Sequence, residues 1–308
     1  LWDHPGSRYL LDELLVDTGS GHNVVSTVFV ECASMYRQHG PAAYRSLGET
    51  EFVNGVAAMA ASGDYGPTRA CAGIVSYADL TLGAAVGEVL DAHLAASPRF
   101  RGIRHAVSWH ASEEIRNAHT SPREGLLLDR DFREGFAQLG PRGLSFDAWL
   151  YHTQISELTD LARAFPDVTI VFDHFGGPLG IGPYRGRQDE LFGQWCQDVT
   201  ALAQCPNVVA KLGGIVMAVN GFGFHKQAQP PDSQAIAVVT GRYHLHAIEA
   251  FGPERCMFES NFPVDKVSAS YAVLWNAFKR IAAGASDSEK AALFHDTAHR
   301  VYRLEDSP

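Results

Sequence analysis

Short apolar runs alternate with longer amphipathic stretches along almost the whole of this 308-residue chain. The short runs cover residues 24–30, 70–75, 102–107, 144–150, 168–172, 207–212 and 255–258. They are rich in β-branched residues and nearly continuous in apolar character. Strands buried on both faces of a parallel sheet have that pattern. Helix-period patterns fill the gaps, at 46–62, 81–96, 129–139, 155–164, 189–203, 234–250, 267–283 and 286–302. The first of these opens with Ser46 and Glu49, the spacing of a capping box.

Strand alternating with helix over the full length predicts an α/β protein with a parallel sheet. The expected architecture is a (β/α)8 TIM barrel, one domain over residues 1–308. Seven strand runs are one short of that fold. The first strand is therefore expected upstream of Leu1, or barely included. An open doubly wound sheet is the alternative, but no G-x-G-x-x-G follows an early strand.

Composition narrows the function classes. Hydrophobic residues make up 46% of the chain, enough for a large core, and the 19% charged content is too low for disorder. A net charge of −10 argues against a broad nucleic-acid footprint. It leaves a small substrate open, because a local pocket can be basic on an acidic protein. Cys32, Cys71, Cys196, Cys205 and Cys256 are odd in number, widely spaced and without a C-x-x-C pair. That excludes a disulfide framework and a zinc-cysteine site, and leaves buried thiols in a cytoplasmic protein as the expectation. No apolar run is long enough to span a membrane.

A barrel carries its chemistry at the C-terminal ends of its strands. Each run here ends in, or carries near its end, residues able to bind, move protons or ligate a metal. They are Glu31; Ser76 and Tyr77; Arg104, His105, Trp109 and His110; Tyr151 and His152; Asp173 and His174; Lys211; and Glu259, Ser260 and Asn261. Plainer readings exist for several. Glu31 could be a structural hydrogen-bond partner, His105 a packed barrel histidine, and Lys211 a snorkelling side chain rather than an anion binder. Arg104, inside its run, is a better anion binder than Arg101. Asp173-His174 followed by a Gly/Pro loop is hard to explain as packing. The loops at 176–186 and 220–231 follow strands and are expected to shape the pocket.

Four segments carry a resemblance: 171–178 (VFDHFGGP), 257–264 (MFESNFPV), 100–105 (FRGIRH) and 207–212 (NVVAKL). In order and spacing they resemble the strand motifs of the amidohydrolase-related (amidohydrolase 2) metal-dependent hydrolases of TIM-barrel fold. The likeness is greatest to the branch of sugar lactonases and the pyrone-dicarboxylate lactonase. It implies hydrolysis of the carboxylic ester bond in a lactone of a sugar acid or dicarboxylate. Two departures stand out. The family's first strand carries His-x-His, often followed by Leu-Trp-Asp; here Leu1-Trp2-Asp3 is present without the pair. The family's eighth-strand Asp is matched by Asn261, an amide that cannot act as a base at neutral pH.

The resemblance assigns catalysis to His174, Asp173, Glu259 and Asn261, with Asp265 a further base candidate. Arg104, His105, Trp109, Tyr151 and Lys211 would hold substrate. His152 and His174 would ligate one divalent metal, zinc or manganese, against which Asn261 counts. The partner is a carboxylated or hydroxylated small molecule, not nucleic acid or a membrane, and a homo-oligomer is open. Two other readings stand beside this one: a non-oxidative decarboxylase of the same superfamily, and a catalytically silent metabolite-binding barrel, which Asn261 permits.

Overall fold

The structure, a computed structural model, describes residues 8–305. Seven strands lie in chain order in one sheet: β1 (Ser26–Val30), β2 (Arg69–Ser76), β3 (Phe100–Ile103), β4 (Ser145–Ala148), β5 (Ile170–Phe172), β6 (Val208–Leu212) and β7 (Cys256–Phe258). Every neighbouring pair is parallel. Doubly wound sheets reverse their strand order at a switch point. Here the order runs one way throughout, as in the curled wall of a barrel. Each apolar run coincides with or overlaps one strand. β3 begins two residues before its run, where Phe100 pairs with Ile74. The expected first strand, with Leu1-Trp2-Asp3, lies outside the described residues.

The helices are α1 (Leu11–Thr18), α2 (Leu47–Ala61), α3 (Val86–Ala96), α4 (Arg130–Phe136), α5 (Ile155–Ala164), α6 (Gln188–Ala203), α7 (Ser233–Phe251), α8 (Tyr271–Ile281), α9 (Asp287–Ala291) and α10 (Thr297–Val301). None of them is long and apolar enough to cross a membrane. α1 has no counterpart in the sequence pattern; Leu10 precedes it, and Glu13 holds the Leu10 backbone N–H. The Ser46–Glu49 capping box does not form. Both side chains are buried and serve other partners: Ser46 Oγ lies 3.3 Å from His93 Nε2, and Glu49 accepts the Cys32 and Ser34 backbone N–H groups at 3.1 and 2.9 Å. The 81–96 stretch divides into a tight 3-10 segment, Leu80–Ala85, kinked within at Gly83 (φ 59°), and α3. The last stretch divides too. Ser286 and Glu289 cap α9, and a π-helical turn, Ala292–Asp296, separates it from α10.

Side-chain alternation builds two cores. Ile170 and Phe172 on β5, with Val208, Ala210 and Leu212 on β6, face outward into the helix layer. Val75, Val171, Val209 and Met257 face inward and close over Tyr302, which follows α10. Two residues beyond each of the last three apolar positions stands a charged one: Asp173 after Val171, Lys211 after Val209, Glu259 after Met257. An apolar floor thus lies directly beneath a charged mouth.

Four histidines, His93, His105, His152 and His244, have imidazoles that burial pushes down to about 4. His244 is wholly buried, bonds the Thr240 carbonyl oxygen at 3.0 Å, and packs edge-on against Phe175. Between pH 6.5 and 4 the unfolded chain binds protons that the folded chain does not. Stability from these rings is therefore present above pH 6.5 and lost as pH falls toward 4. Asp147, pushed up to about 6 chiefly by burial, works in the opposite direction. For His244 alone the loss at pH 5 is about 2 kcal/mol. His244→Gln removes that pH-dependent part. Its Tm penalty is expected to shrink by a few degrees between pH 7 and pH 5; an unchanged penalty would contradict the assignment.

Candidate active site

The inward residues at the strand ends form one continuous ionic network. Arg104 organises one half. Its Nε lies 2.8 Å from Glu31 Oε1, and one terminal nitrogen donates to the Glu31 carbonyl oxygen at 2.6 Å. The other terminal nitrogen is 3.6 Å from Asp173 Oδ2. Lys211 organises the second half, with Nζ 2.6 Å from Asp147 Oδ2, 2.8 Å from Asp173 Oδ1 and 3.9 Å from Glu259 Oε2. Tyr302 donates its hydroxyl to the same Asp147 Oδ2 at 2.8 Å. Glu259 Oε1 then bonds Nδ1 of His174. At the far end His119 Nε2 lies 3.3 Å from Glu31 Oε2.

Four carboxylates share two permanent cations in this network. Glu31, Asp147 and Asp173 are wholly enclosed, whereas Glu259 and Arg104 keep 16% and 17% of their side chains exposed. Burial would raise the Asp173 carboxyl, but Lys211, His174 and Arg104 together hold it below the ordinary value. Burial likewise opposes ionisation of Glu31, and Arg104 and His119 reverse it. Lys211 is buried too, yet Asp147 and Asp173 raise its ammonium well above the ordinary lysine value.

The backbone aims His174 by an unusual route. His174, Phe175, Gly176 and Gly177 all have positive φ, at 54°, 58°, 64° and 46°. A left-handed turn costs roughly 1–2 kcal/mol for each side-chain-bearing residue in it. It is held by the Gly177 N–H to His174 carbonyl bond at 2.9 Å and by Trp195 Nε1 donating to the Phe175 carbonyl at 2.9 Å. Trp149 packs edge-on to the imidazole at 4.9 Å. Beyond β6, Gly213 and Gly214 leave the room. A Cβ on Gly214 would lie 2.5 Å from His174 Nδ1, and one on Gly213 would lie 2.3 Å from Glu259 Cγ.

The expected residues divide into three groups. Arg104, Asp173, His174, Lys211 and Glu259 belong to the network. Asn261, at φ 49°, stands apart and donates its amide to Asp265 Oδ1 at 3.1 Å; burial holds the Asp265 carboxyl well above its ordinary value. The others have local partners. His105 Nδ1 accepts the Leu80 N–H at 3.2 Å, and its ring lies against Tyr77 and Phe132. Trp109 donates its backbone N–H to Gln154. Tyr151 is buried and gives its hydroxyl to the Arg116 carbonyl. His152 Nδ1 accepts the Leu179 N–H at 3.3 Å and, with His110, packs on Tyr184. Sequence reading missed Asp147, His119, Tyr302 and the Gly213-Gly214 pair. Asp147 alone carried a signal, as the inward charge in an otherwise apolar run.

The donor set does not fit the divalent metal that the family implies. Among the described residues no group of three or more His, Cys, Asp or Glu side chains is arranged to hold one. The space between Asp147, Asp173 and Glu259 is filled by the Lys211 ammonium, and Asn261 presents a neutral amide turned to Asp265. The His-x-His pair expected before Leu1 lies outside the described residues.

A curled parallel sheet with helices around it and acid-base groups at its strand ends defines a barrel hydrolase scaffold. The Amidohydrolase family model matches residues 20–304, and this chain belongs to that family. The chain is 36% identical to the uncharacterised protein y4mH of Sinorhizobium fredii, over 96% of this chain and 86% of that one. It is 28% identical to an L-fucono-1,5-lactonase of Burkholderia multivorans, over 67% of this chain and 64% of the enzyme. Among solved structures, an amidohydrolase from Burkholderia multivorans with bound zinc matches at TM-score 0.64 and 25% identity, covering 83% of this chain and 79% of that one. A probable 2-pyrone-4,6-dicarboxylic acid hydrolase from Acinetobacter baumannii, with citric acid bound, matches in fold at TM-score 0.66 and 12% identity, over 98% and 91%.

Removing the cation of a buried cluster leaves its carboxylates uncompensated. Lys211→Met is expected to destabilise the protein by about 3–5 kcal/mol at pH 7 in denaturant unfolding. The penalty should shrink at pH 5, where Asp147 and Asp173 can take up protons once the ammonium is gone. A loss below 1 kcal/mol, or one independent of pH, would show that the ammonium does not hold the cluster.

Proposed function

We propose that this chain hydrolyses the carboxylic ester bond of a lactone, within a single domain over residues 1–308, and that its substrate is a neutral, hydroxylated lactone of a sugar acid. The observation that carries the reading is the His174–Glu259 pair, an imidazole oriented by a carboxylate at adjacent strand ends. Glu259 holds Nδ1 and leaves Nε2 for the substrate. Nε2 takes a proton from the attacking water as the hydroxyl adds to the lactone carbonyl, and Glu259 stabilises the imidazolium. The ring C–O bond then breaks, and the same proton passes to the departing alkoxide, giving a hydroxy acid. Arg104, 17% exposed and 3.6 Å from Asp173, gives two of its N–H donors to Glu31 and has others to turn to the carbonyl or a ring hydroxyl. Among the described residues no donor set fits a metal, and this route uses none.

Charge argues for a neutral substrate. Arg104 and Lys211, expected to receive a substrate carboxylate, are already bound by carboxylates of the chain. A dicarboxylate entering here would meet Glu259 with no unpaired network cation to receive it. The same argument counts against an aromatic-acid decarboxylase. A 5-carboxyvanillate decarboxylase from Sphingomonas paucimobilis, at TM-score 0.58 and 16% identity, shares the fold alone. Similarity to the L-fucono-1,5-lactonases favours a sugar lactone.

The test is a panel of neutral sugar-acid lactones and carboxylate-bearing lactones, followed by proton release with a pH indicator. Neutral lactones are expected to give kcat/KM at least about 100-fold above the charged ones. His174→Ala and Glu259→Gln should lower kcat by about 10² to 10⁴. Full turnover by His174→Ala would refute the mechanism, and preference for charged lactones would refute the charge argument. Ligand-induced thermal shifts without any turnover would support the silent barrel instead.

A further inference from the structure

Tyr302 is the largest polar side chain on the barrel floor, and nothing in the mechanism above uses it. It is delivered by the far C-terminal end of the chain, 155 residues from Asp147. Its ring packs with Val75, Val171, Val209 and Met257, a wholly apolar set that would accept a phenylalanine as well. The Lys211 ammonium also lies over the ring, 5.9 Å from its centre, a contact that phenylalanine would keep, so the hydroxyl is what distinguishes tyrosine here. That hydroxyl donates at 2.8 Å to Asp147 Oδ2, the atom that also accepts from Lys211 Nζ at 2.6 Å. Nζ is in turn 2.8 Å from Asp173 and 3.9 Å from Glu259, the partner of His174.

We propose that Tyr302 and Asp147 are positioning residues of the candidate site: together they clamp the Lys211 ammonium from below and so fix the charge balance between Asp173 and Glu259. The inference rests on the lactone-hydrolase reading for its kinetic consequence, but the clamp itself can be read without substrate. The physical logic is that an ammonium has three donors in a rotatable head. Asp147 fixes one of them, and the Tyr302 hydroxyl fixes the Asp147 carboxylate. Loosening Asp147 lets Nζ swing toward Glu259, where it competes with His174 for the same carboxylate.

Tyr302→Phe removes one oxygen and keeps the packing; Asp147→Asn keeps the shape and removes the charge. In solution NMR, wild-type protein is expected to show one lysine ammonium signal protected from solvent exchange, assigned to Lys211 by its loss in Lys211→Arg. Tyr302→Phe should broaden it or accelerate its exchange at least tenfold, with Tm changed by only a few degrees. With a lactone that the wild type turns over, Tyr302→Phe should lower kcat about tenfold, leave KM within twofold, and move the acidic limb of the kcat–pH profile. The double variant should be no worse than the worse single one, because both act on the same ammonium. Wild-type-like exchange and kinetics in Tyr302→Phe would reduce the tyrosine to a packing residue and overturn the proposal. So would the absence of a protected ammonium in wild type. Inactive wild-type protein that still shows the exchange difference would refute the lactone reading and leave the clamp standing.

Discussion

Everything at the mouth of this barrel depends on a buried ammonium. Lys211 is almost fully enclosed, a state that is tolerable only because Asp147 and Asp173 lie within 2.8 Å of its Nζ. The dependence runs both ways, since Lys211 is the largest of the charges that oppose burial at both carboxyl groups. Asp173 also faces Arg104, so one enclosed carboxylate joins the two cationic halves of the network. A residue in that position is poorly placed to touch a substrate and well placed to hold the groups that do. The network therefore has an enclosed part and an open part: Asp147, Asp173, Glu31 and Lys211 are sealed in and His174 is nearly so, while Glu259 and Arg104 keep part of their side chains exposed.

The backbone shows the same division. Four successive left-handed residues after β5 would be disfavoured in isolation, particularly His174 and Phe175, which carry β-carbons. The turn persists because the Phe175 side chain is buried against His244 and Trp195, and because Trp195 satisfies its carbonyl. Gly213 and Gly214 complete the arrangement just beyond the neighbouring strand, leaving the space that the imidazole and Glu259 occupy. Strain of this kind is found where a side chain must be held in one orientation. Here it brings His174 onto the carboxylate at the end of β7.

The fold was legible because its signal is cumulative. Seven apolar runs each overlap a strand, and α5 spans the residues 155–164 that its periodicity marks out. Legibility fails where a side chain has two possible partners. Ser46 and Glu49 have capping-box spacing, yet the loop after β1 has backbone N–H groups with no other acceptor, and Glu49 goes there instead. Of the candidate site, the residues at strand ends could be read from position alone. What position could not convey was which of them pair with one another. Arg104 and Lys211 look like free anion binders in sequence, because their counter-charges stand on strands far away along the chain. Tyr302 and His119 could not be found at all: one arrives just after the last helix and the other from a long loop, and neither carries a local pattern.

Asn261 is the residue at which the family pattern and this structure meet most directly. Its amide removes a charge from the end of β7, and four residues later Asp265 takes a place behind it. That carboxyl is sealed from water and raised well above its ordinary value by burial, so it does not restore the missing negative charge at the surface of the mouth. The partly exposed carboxyl group just after β7 is Glu259, and it is already bonded to His174 and 3.9 Å from Lys211. Where the family pattern places a carboxylate at position 261, this chain has an amide turned to Asp265, and its carboxylate two residues earlier is joined to an imidazole. An amide neither holds a cation well nor moves a proton, whereas a carboxylate-oriented imidazole suits proton transfer, which is why the proposed mechanism is centred on the His174–Glu259 pair.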